Sequence, residues 1–308
     1  MSRLQRRLKD TLKYRTVHSL LHLGKFVSIE QRERSGRFLS KLAAMTPTVR
    51  QQVRRNMDAA LGEGSFPGAE DEYLCNLGRW ASYAIQIYHR GLMHSGVPEW
   101  IVFDESIQIV KDVMDAGKGA IYAVPHLFGH EMSAGLLARK FPTVGLVRES
   151  KYEPHNKVKK HFYEESGGTE VIYRPRRGSV AADMRVCMRT LKQGKGLMIT
   201  PDLLDSSSKG TTAHLLGHTI RLKPGIVGLS MFTGAPVVRM FLYWDDEHVR
   251  VHFDEPRYFK RDSDPEQTTI EGMQWWCDGL AAHLKKQPTT WHFWLDRSWS
   301  RVWQTPNS

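Results

Sequence analysis

Long apolar runs are missing from this 308-residue chain. The longest uncharged stretch, between Lys223 and Arg239, is shorter than the roughly 20 residues a spanning helix needs and is broken by Pro224, Gly225, Gly234 and Pro236. No segment is therefore expected to cross a bilayer. A secretory signal is missing too, because basic residues recur from Arg3 through Lys25 without giving way to a long apolar region and a small-residue cleavage site. The chain is expected to stay in the cytoplasm. Cysteine is scarce: Cys75, Cys187 and Cys277 are far apart, odd in number and form no C-x-x-C pair or zinc spacing, which points to reduced, mostly buried thiols. Repeats and low-complexity tracts are absent, as are a helix-turn-helix, a zinc finger and an aromatic RNA-binding signature, so binding to nucleic acid is not expected. G-x-S-x-G is absent, and no Ser or Cys occupies a recognisable nucleophile elbow.

What is present is positive charge. A net charge of +11 favours anionic partners, among them anionic head groups and acidic proteins. Much of the charge opens the chain, where Leu4, Leu8 and Leu12 recur at a spacing of four between Arg3, Arg6, Arg7, Lys9, Lys13 and Arg15. Residues 1–27 thus read as a basic amphipathic helix, suited either to an anionic membrane surface or to packing on its own domain. From Glu30 to His94 the pattern stays helical. Beyond Trp100, short apolar runs alternate with amphipathic stretches: Ala120–Val124, Val144–Val147, Val171–Tyr173, Leu197–Thr200, Pro236–Trp244 and Val249–Phe253 read as strands. The fold expected is α/β, with a largely parallel central sheet flanked by helices and an N-terminal helical extension. Residues 28–308 then form one domain, a helical cap over 28–99 followed by an α/β core over 100–308. Two core-facing helices are predicted, one with Val180, Met184, Cys187 or Met188 and Leu191 on its apolar stripe, the other with Ile270, Met273, Trp276, Leu280 and Leu284.

The segment IYAVPHLFGHEMSAG, Ile121 to Gly135, runs from a buried-looking strand through a polar break into a helix-like continuation. His126 falls at the carboxyl end of the strand, where ligands bind in open α/β sheets. An imidazole there can accept a proton at physiological pH, and a carboxylate on its other nitrogen fixes the tautomer. Glu131, five residues on, is the expected partner, folded back by the turn and placed in a helix's first turn. A metal reading of His126, His130 and Glu131 competes, but it lacks H-E-x-x-H order and a clear third ligand, and no metal is expected.

The wider pattern resembles the lysophospholipid acyltransferase superfamily and, more closely, the bacterial lipid A biosynthesis (lauroyl/myristoyl) acyltransferases. The resemblance rests on HLFGHE, on LVRES with Arg148, on TLKQGKGLMITPDL with Gly194, Pro201 and Asp202, on GTTAHLLGHTIRLKPGIVGLSMFTGAPVVRMF, and on QPTTWHFWLDRSW, all in family order. It implies transfer of a fatty acyl group from a thioester on acyl carrier protein or coenzyme A to a hydroxyl of a membrane lipid such as a lipid A precursor of lipopolysaccharide. The place implied is the cytoplasmic face of the bacterial inner membrane, and no cofactor is needed beyond the thioester. His126 would be the base and Glu131 its support, Arg148 would lie beside acceptor or donor, and Asp202 would support the site's far wall. Arg174, Arg176 and Arg177 form a basic cluster suited to lipid phosphates or an acidic carrier, or simply a solvated loop. An amine or a soluble metabolite as acceptor, and a non-enzymatic anion-binding role, are the alternatives. Deleting residues 1–27 is expected to weaken binding to anionic vesicles, read by co-sedimentation; unchanged sedimentation would remove the anchoring role.

Overall fold

The computed structural model describes residues 47–91, 99–175, 179–205, 207, 210–245, 248–261 and 264–304, together with Ser19, Arg34 and Phe38. Apart from Ser19, the proposed basic helix over 1–27 lies outside the described residues, as do Arg176 and Arg177.

Helices α1 (Pro47–Leu61) and α2 (Ala69–Arg90) fill the described part of the helical stretch expected before His94. The chain then lays down β1 (Ile101–Phe103), α3 (Ile107–Asp115), β2 (Ala120–Ala123), α4 (His130–Ala138) and β3 (Thr143–Arg148). Next come α5 (Glu153–Lys160), which runs into a π-helical turn over His161–Ser166, then β4 (Glu170–Arg174), α6 (Val180–Lys192) and β5 (Gly196–Ile199). A separate antiparallel hairpin follows, β6 (Thr211–Leu215) with β7 (His218–Leu222). The chain closes with α7 (Gly225–Thr233), β8 (Val237–Trp244), β9 (Val249–Phe253), α8 (Pro265–Lys286), two 3-10 turns at Pro288–Thr290 and His292–Leu295, and α9 (Arg297–Gln304).

Seven strands form one sheet in the order β1-β9-β8-β2-β5-β3-β4, parallel at every pairing except β8 with β9. Each apolar run read as a strand becomes one, because a strand buried on both faces is a near-continuous run of apolar side chains. Ala120, Ile121, Tyr122, Ala123 and Val124 are all fully buried at the centre. Strand β1 carries too short a run to show a period and leaves Val102 exposed, so its sequence did not announce it.

The two amphipathic helices form where expected, with one correction in each. In α6 only Cys187, Thr190 and Leu191 are buried and Val180 is two-thirds exposed, because the first turn of the helix does not reach the core. In α8 Met273, Trp276, Leu280 and Leu284 are buried while Ile270 is exposed. Cys187 and Cys277 are buried, and burial pushes their thiols up to about 11 and about 12 respectively, which leaves them protonated and inert near neutrality. Trp291, Trp294, Trp299 and Trp303 pack on one another with ring centroids 4.9 to 6.2 Å apart, and α1 locks them in place through Asn56, whose Nδ2 donates to the Trp294 carbonyl and to Ser300 Oγ. The C-terminal aromatics are thus a packed closure.

The central strands approach so closely that a side chain at Gly196 has no room. A Cβ there would come within 2.4 Å of the Tyr122 ring, which is itself fully buried on the neighbouring strand. Gly196→Ala is expected to lower stability by about 1–3 kcal/mol, the usual cost of overpacking a core, measured by denaturant unfolding.

Candidate active site

Strands β2 and β5 are parallel neighbours in register, with Ala123 opposite Ile199. His126 lies three residues beyond the end of β2, and Asp202 three beyond the end of β5. Equal overhangs from registered strands bring the two side chains face to face at the sheet's carboxyl edge. His126 Nδ1 lies 2.6 Å from Asp202 Oδ1, and the His126 backbone N–H donates to Asp202 Oδ2 over 2.8 Å. A third donor, Trp291 Nε1, reaches Oδ2 at 3.0 Å from the closing segment. That segment is held by pairing with the strand end: Phe128 N–H donates to the Thr290 carbonyl and His292 N–H to the His126 carbonyl.

The electrostatics follow. Asp202 is fully buried, and burial alone would favour its acid form, but His126 and the Trp291 N–H together hold the carboxyl below its ordinary range. A carboxylate can only accept, so His126 donates from Nδ1 and leaves Nε2 with its lone pair toward the site. Burial is the largest influence on His126 and works against the imidazolium; the Asp202 carboxylate, with Glu131 and Asp296 behind it, offsets this and leaves the pKa above 6.5. The ring is a fifth exposed and packs against Phe293 at 4.5 Å and His130 at 4.6 Å.

One expectation is corrected here. Glu131 does sit in the first turn of α4, behind Gly129, whose φ of 92° turns the chain sharply from the strand end into the helix. It does not hold His126, however, because Asp202 already occupies Nδ1. Glu131 Oε2 instead lies 3.1 Å from His130 Nδ1. Glu131 remains below the ordinary carboxylate range despite burial, since His130, His292 and its own backbone N–H favour its charge. His292 is a site residue the sequence reading missed. Burial drives it down to about 4, so it is neutral. One ring nitrogen each of His130 and His292 and one carboxylate oxygen of Glu131 lie within 4.8 Å of one another, the spacing of a group that could hold a cation. His292, not His126, supplies the third member of that group.

Around Glu131 the side chains and backbone of Ile87, Met132, Gly135, Phe162, Tyr163, Gly167 and Thr169 close in so tightly that no space for a water molecule remains between them. A surface cavity between Arg54, Gly62 and Glu70 holds none of the residues around His126. Arg148 is exposed at the carboxyl end of β3, two strands from β2, and Arg174 lies opposite it on β4, tied to Asp183 by a 2.9 Å ion pair. The two arginines share the sheet edge with His126 without joining its hydrogen bonds. Among the described residues no helix is long and apolar enough to cross a membrane.

A solvent-reaching imidazole, fixed by a buried carboxylate at the carboxyl edge of a parallel sheet, is an arrangement chemically able to accept a proton. The sequence profile of the bacterial lipid A biosynthesis acyltransferases matches residues 10–301. The chain belongs to that family, and it is a lipid acyltransferase. It is similar to a phosphatidylinositol mannoside acyltransferase of Mycolicibacterium smegmatis (strain ATCC 700084 / mc(2)155), 24% identical over 259 residues that cover 81% of this chain and 79% of that one.

If the Asp202 charge is what raises His126, Asp202→Asn should lower the pKa of His126, since burial then acts with less opposition. Titrating the His126 ring by NMR checks this; an unchanged midpoint would remove Asp202 from that role.

Proposed function

We propose that the protein transfers a fatty acyl group from a thioester, on acyl carrier protein or coenzyme A, to a hydroxyl of a membrane lipid, with His126 as general base and Asp202 as the carboxylate that orients it. The observation that carries this reading is the His126 Nδ1 to Asp202 contact of 2.6 Å, which leaves Nε2 as the proton acceptor. In the reaction, the acceptor oxygen loses its proton to Nε2 and attacks the thioester carbonyl. The C–S bond then breaks, and the proton passes from His126 to the departing thiolate. Asp202 keeps its charge throughout and stabilises the imidazolium, as the orienting carboxylate does in base-assisted acyl transfer generally.

The apolar side chains around Glu131, among them Ile87, Met132 and Phe162, give the surroundings of the reacting groups an apolar character that suits an acyl donor. The net charge of +11 supports an anionic partner, which an acyl carrier protein and a lipid head group both supply. The relative in Mycolicibacterium favours a glycolipid as acceptor; a lipid A precursor is the form the family name favours. The working location is the cytoplasmic face of the bacterial inner membrane, peripherally bound. In this reading Arg148, exposed at the carboxyl end of its strand, would meet phosphate groups of donor or acceptor, with Arg174, held by Asp183, beside it.

His126→Ala is expected to reduce acyl transfer by at least about 100-fold, the low end for loss of a general base. The assay follows thiol release together with the mass gained by the acceptor lipid; near wild-type turnover would end the assignment. The pH profile follows from the geometry as well. The base works only when neutral and its pKa lies above 6.5, so kcat/KM should rise with pH through that raised value and level off above it. A profile flat from pH 6 to 8 would contradict it.

A further inference from the structure

The indoles that close the chain spend their N–H groups differently. Trp294 Nε1 donates to the Pro288 carbonyl over 2.6 Å, while Trp303 Nε1 is buried without a hydrogen-bond partner among the described residues. Packing alone therefore suffices to hold an indole in this cluster. Trp291 does more, because its Nε1 donates over 3.0 Å to Asp202 Oδ2, an oxygen that already accepts the His126 backbone N–H. Trp291 and Asp202 are both fully buried, and the indole is packed by Trp299, Trp294 and Phe293 at centroid distances of 4.9, 5.0 and 5.5 Å. The next residue, His292, donates its backbone N–H to the His126 carbonyl, which ties the indole to the strand end that carries the base.

Such a contact has a chemical effect as well as a mechanical one. A hydrogen bond to a carboxylate stabilises its charge, and charge that Oδ2 shares with the indole is withheld from the ring on Oδ1. The other groups facing the pair do not do this. Cys277 of α8 faces Asp202 as a neutral thiol, and His126 is faced by His130 and Glu131 of α4 and by His292 and Asp296 of the closing segment. Glu131 and Asp296 are carboxylates, which help His126 to keep a proton; the indole is a neutral donor that works the other way. We infer that Trp291 is a positioning residue for the reaction, its N–H holding the Asp202 carboxylate against His126 and restraining that carboxylate's pull on the imidazole proton. A ring held in this way is neutral, and ready to accept a proton, at lower pH than one facing an unrestrained carboxylate. This deepens the acyl-transfer reading and rests on it for the step that His126 performs.

The test titrates the His126 ring by NMR in the full-length protein and follows kcat/KM for acyl transfer against pH. Trp291→Phe removes the N–H with part of the ring, and Trp303→Phe removes as much packing from the same cluster without touching Asp202. Trp291→Phe should raise the His126 midpoint by roughly 0.5–1 unit, part of the worth of a hydrogen bond to a charged group. Its kcat/KM profile should move to higher pH by the same amount and recover on the plateau, while Trp303→Phe should leave the midpoint where it is. A merely structural Trp291 gives the opposite sign: a loosened closing segment weakens the contact between His126 and Asp202, so the midpoint falls and turnover drops at every pH. If Trp291→Phe fails to fold, benzothienylalanine placed at position 291, which keeps the indole shape with sulfur in place of the N–H, should give the same rise. A midpoint unchanged or lowered on loss of the N–H, or raised equally in Trp303→Phe, would overturn the proposal. The midpoint is read without turnover, so a raised midpoint in a protein that transfers no acyl group would uphold the role of Trp291 and count against the acyl-transfer reading alone.

Discussion

A carboxylate sealed from water is the constraint around which this molecule is arranged. Asp202 is fully buried, and a buried charge costs several kcal/mol unless it is paired and hydrogen-bonded. Three N–H groups meet it, two from His126 and one from Trp291, and they come from two distant parts of the chain. Each contact needs a larger structure behind it. The His126 contacts need β2 and β5 to be parallel and in register. The Trp291 contact needs the closing segment to run antiparallel along residues 126–128, which in turn depends on the packed tryptophans and on Asn56 of α1.

This arrangement divides the site's polar groups into two sets. Asp202 and Trp291 sit behind His126, out of solvent, and fix which nitrogen carries the proton. His130, Glu131 and His292 sit beside it, with Glu131 Oε2 and His292 Nε2 buried and without a hydrogen-bond partner among the described residues. The apolar residues of α2, α4 and the π-helical turn adjoin Glu131. π-Helical turns within helices are frequent at functional sites, and this one follows α5 directly and brings Phe162 and Tyr163 to Glu131. An imidazole fixed from behind, polar groups to one side and apolar side chains next to them suit the proposed joining of a fatty chain to a polar alcohol.

The sheet was legible because buried parallel strands are written as short apolar runs, and β2, β3, β4, β5, β8 and β9 all appear where such runs occur. Strand β1 was not, because three residues at a sheet edge carry no period. The position of His126 was legible for the same reason as the sheet: it follows closely on the most apolar strand. Its partner was harder. Glu131 is close in sequence, but α4 starts at His130 and sets its carboxylate against His130 Nδ1, whereas Asp202, 76 residues away, is brought in by strand register. The P-D motif had marked Asp202 as part of the site without saying which atom it touched. His292 was hidden within TWHFW, a run that reads as aromatic packing, and the one signal for it is the long-range pairing of His292 with His126.

The central claim is that His126 and Asp202 act as one unit in proton transfer, and a double-mutant cycle on turnover tests it most directly. His126→Ala, Asp202→Asn and the double variant are compared under single-turnover conditions with saturating thioester. The account predicts that the double variant is no slower than His126→Ala alone, because a carboxylate that acts only through the imidazole has nothing left to orient. Losses that simply add in logarithm would show two independent contributions and contradict the account.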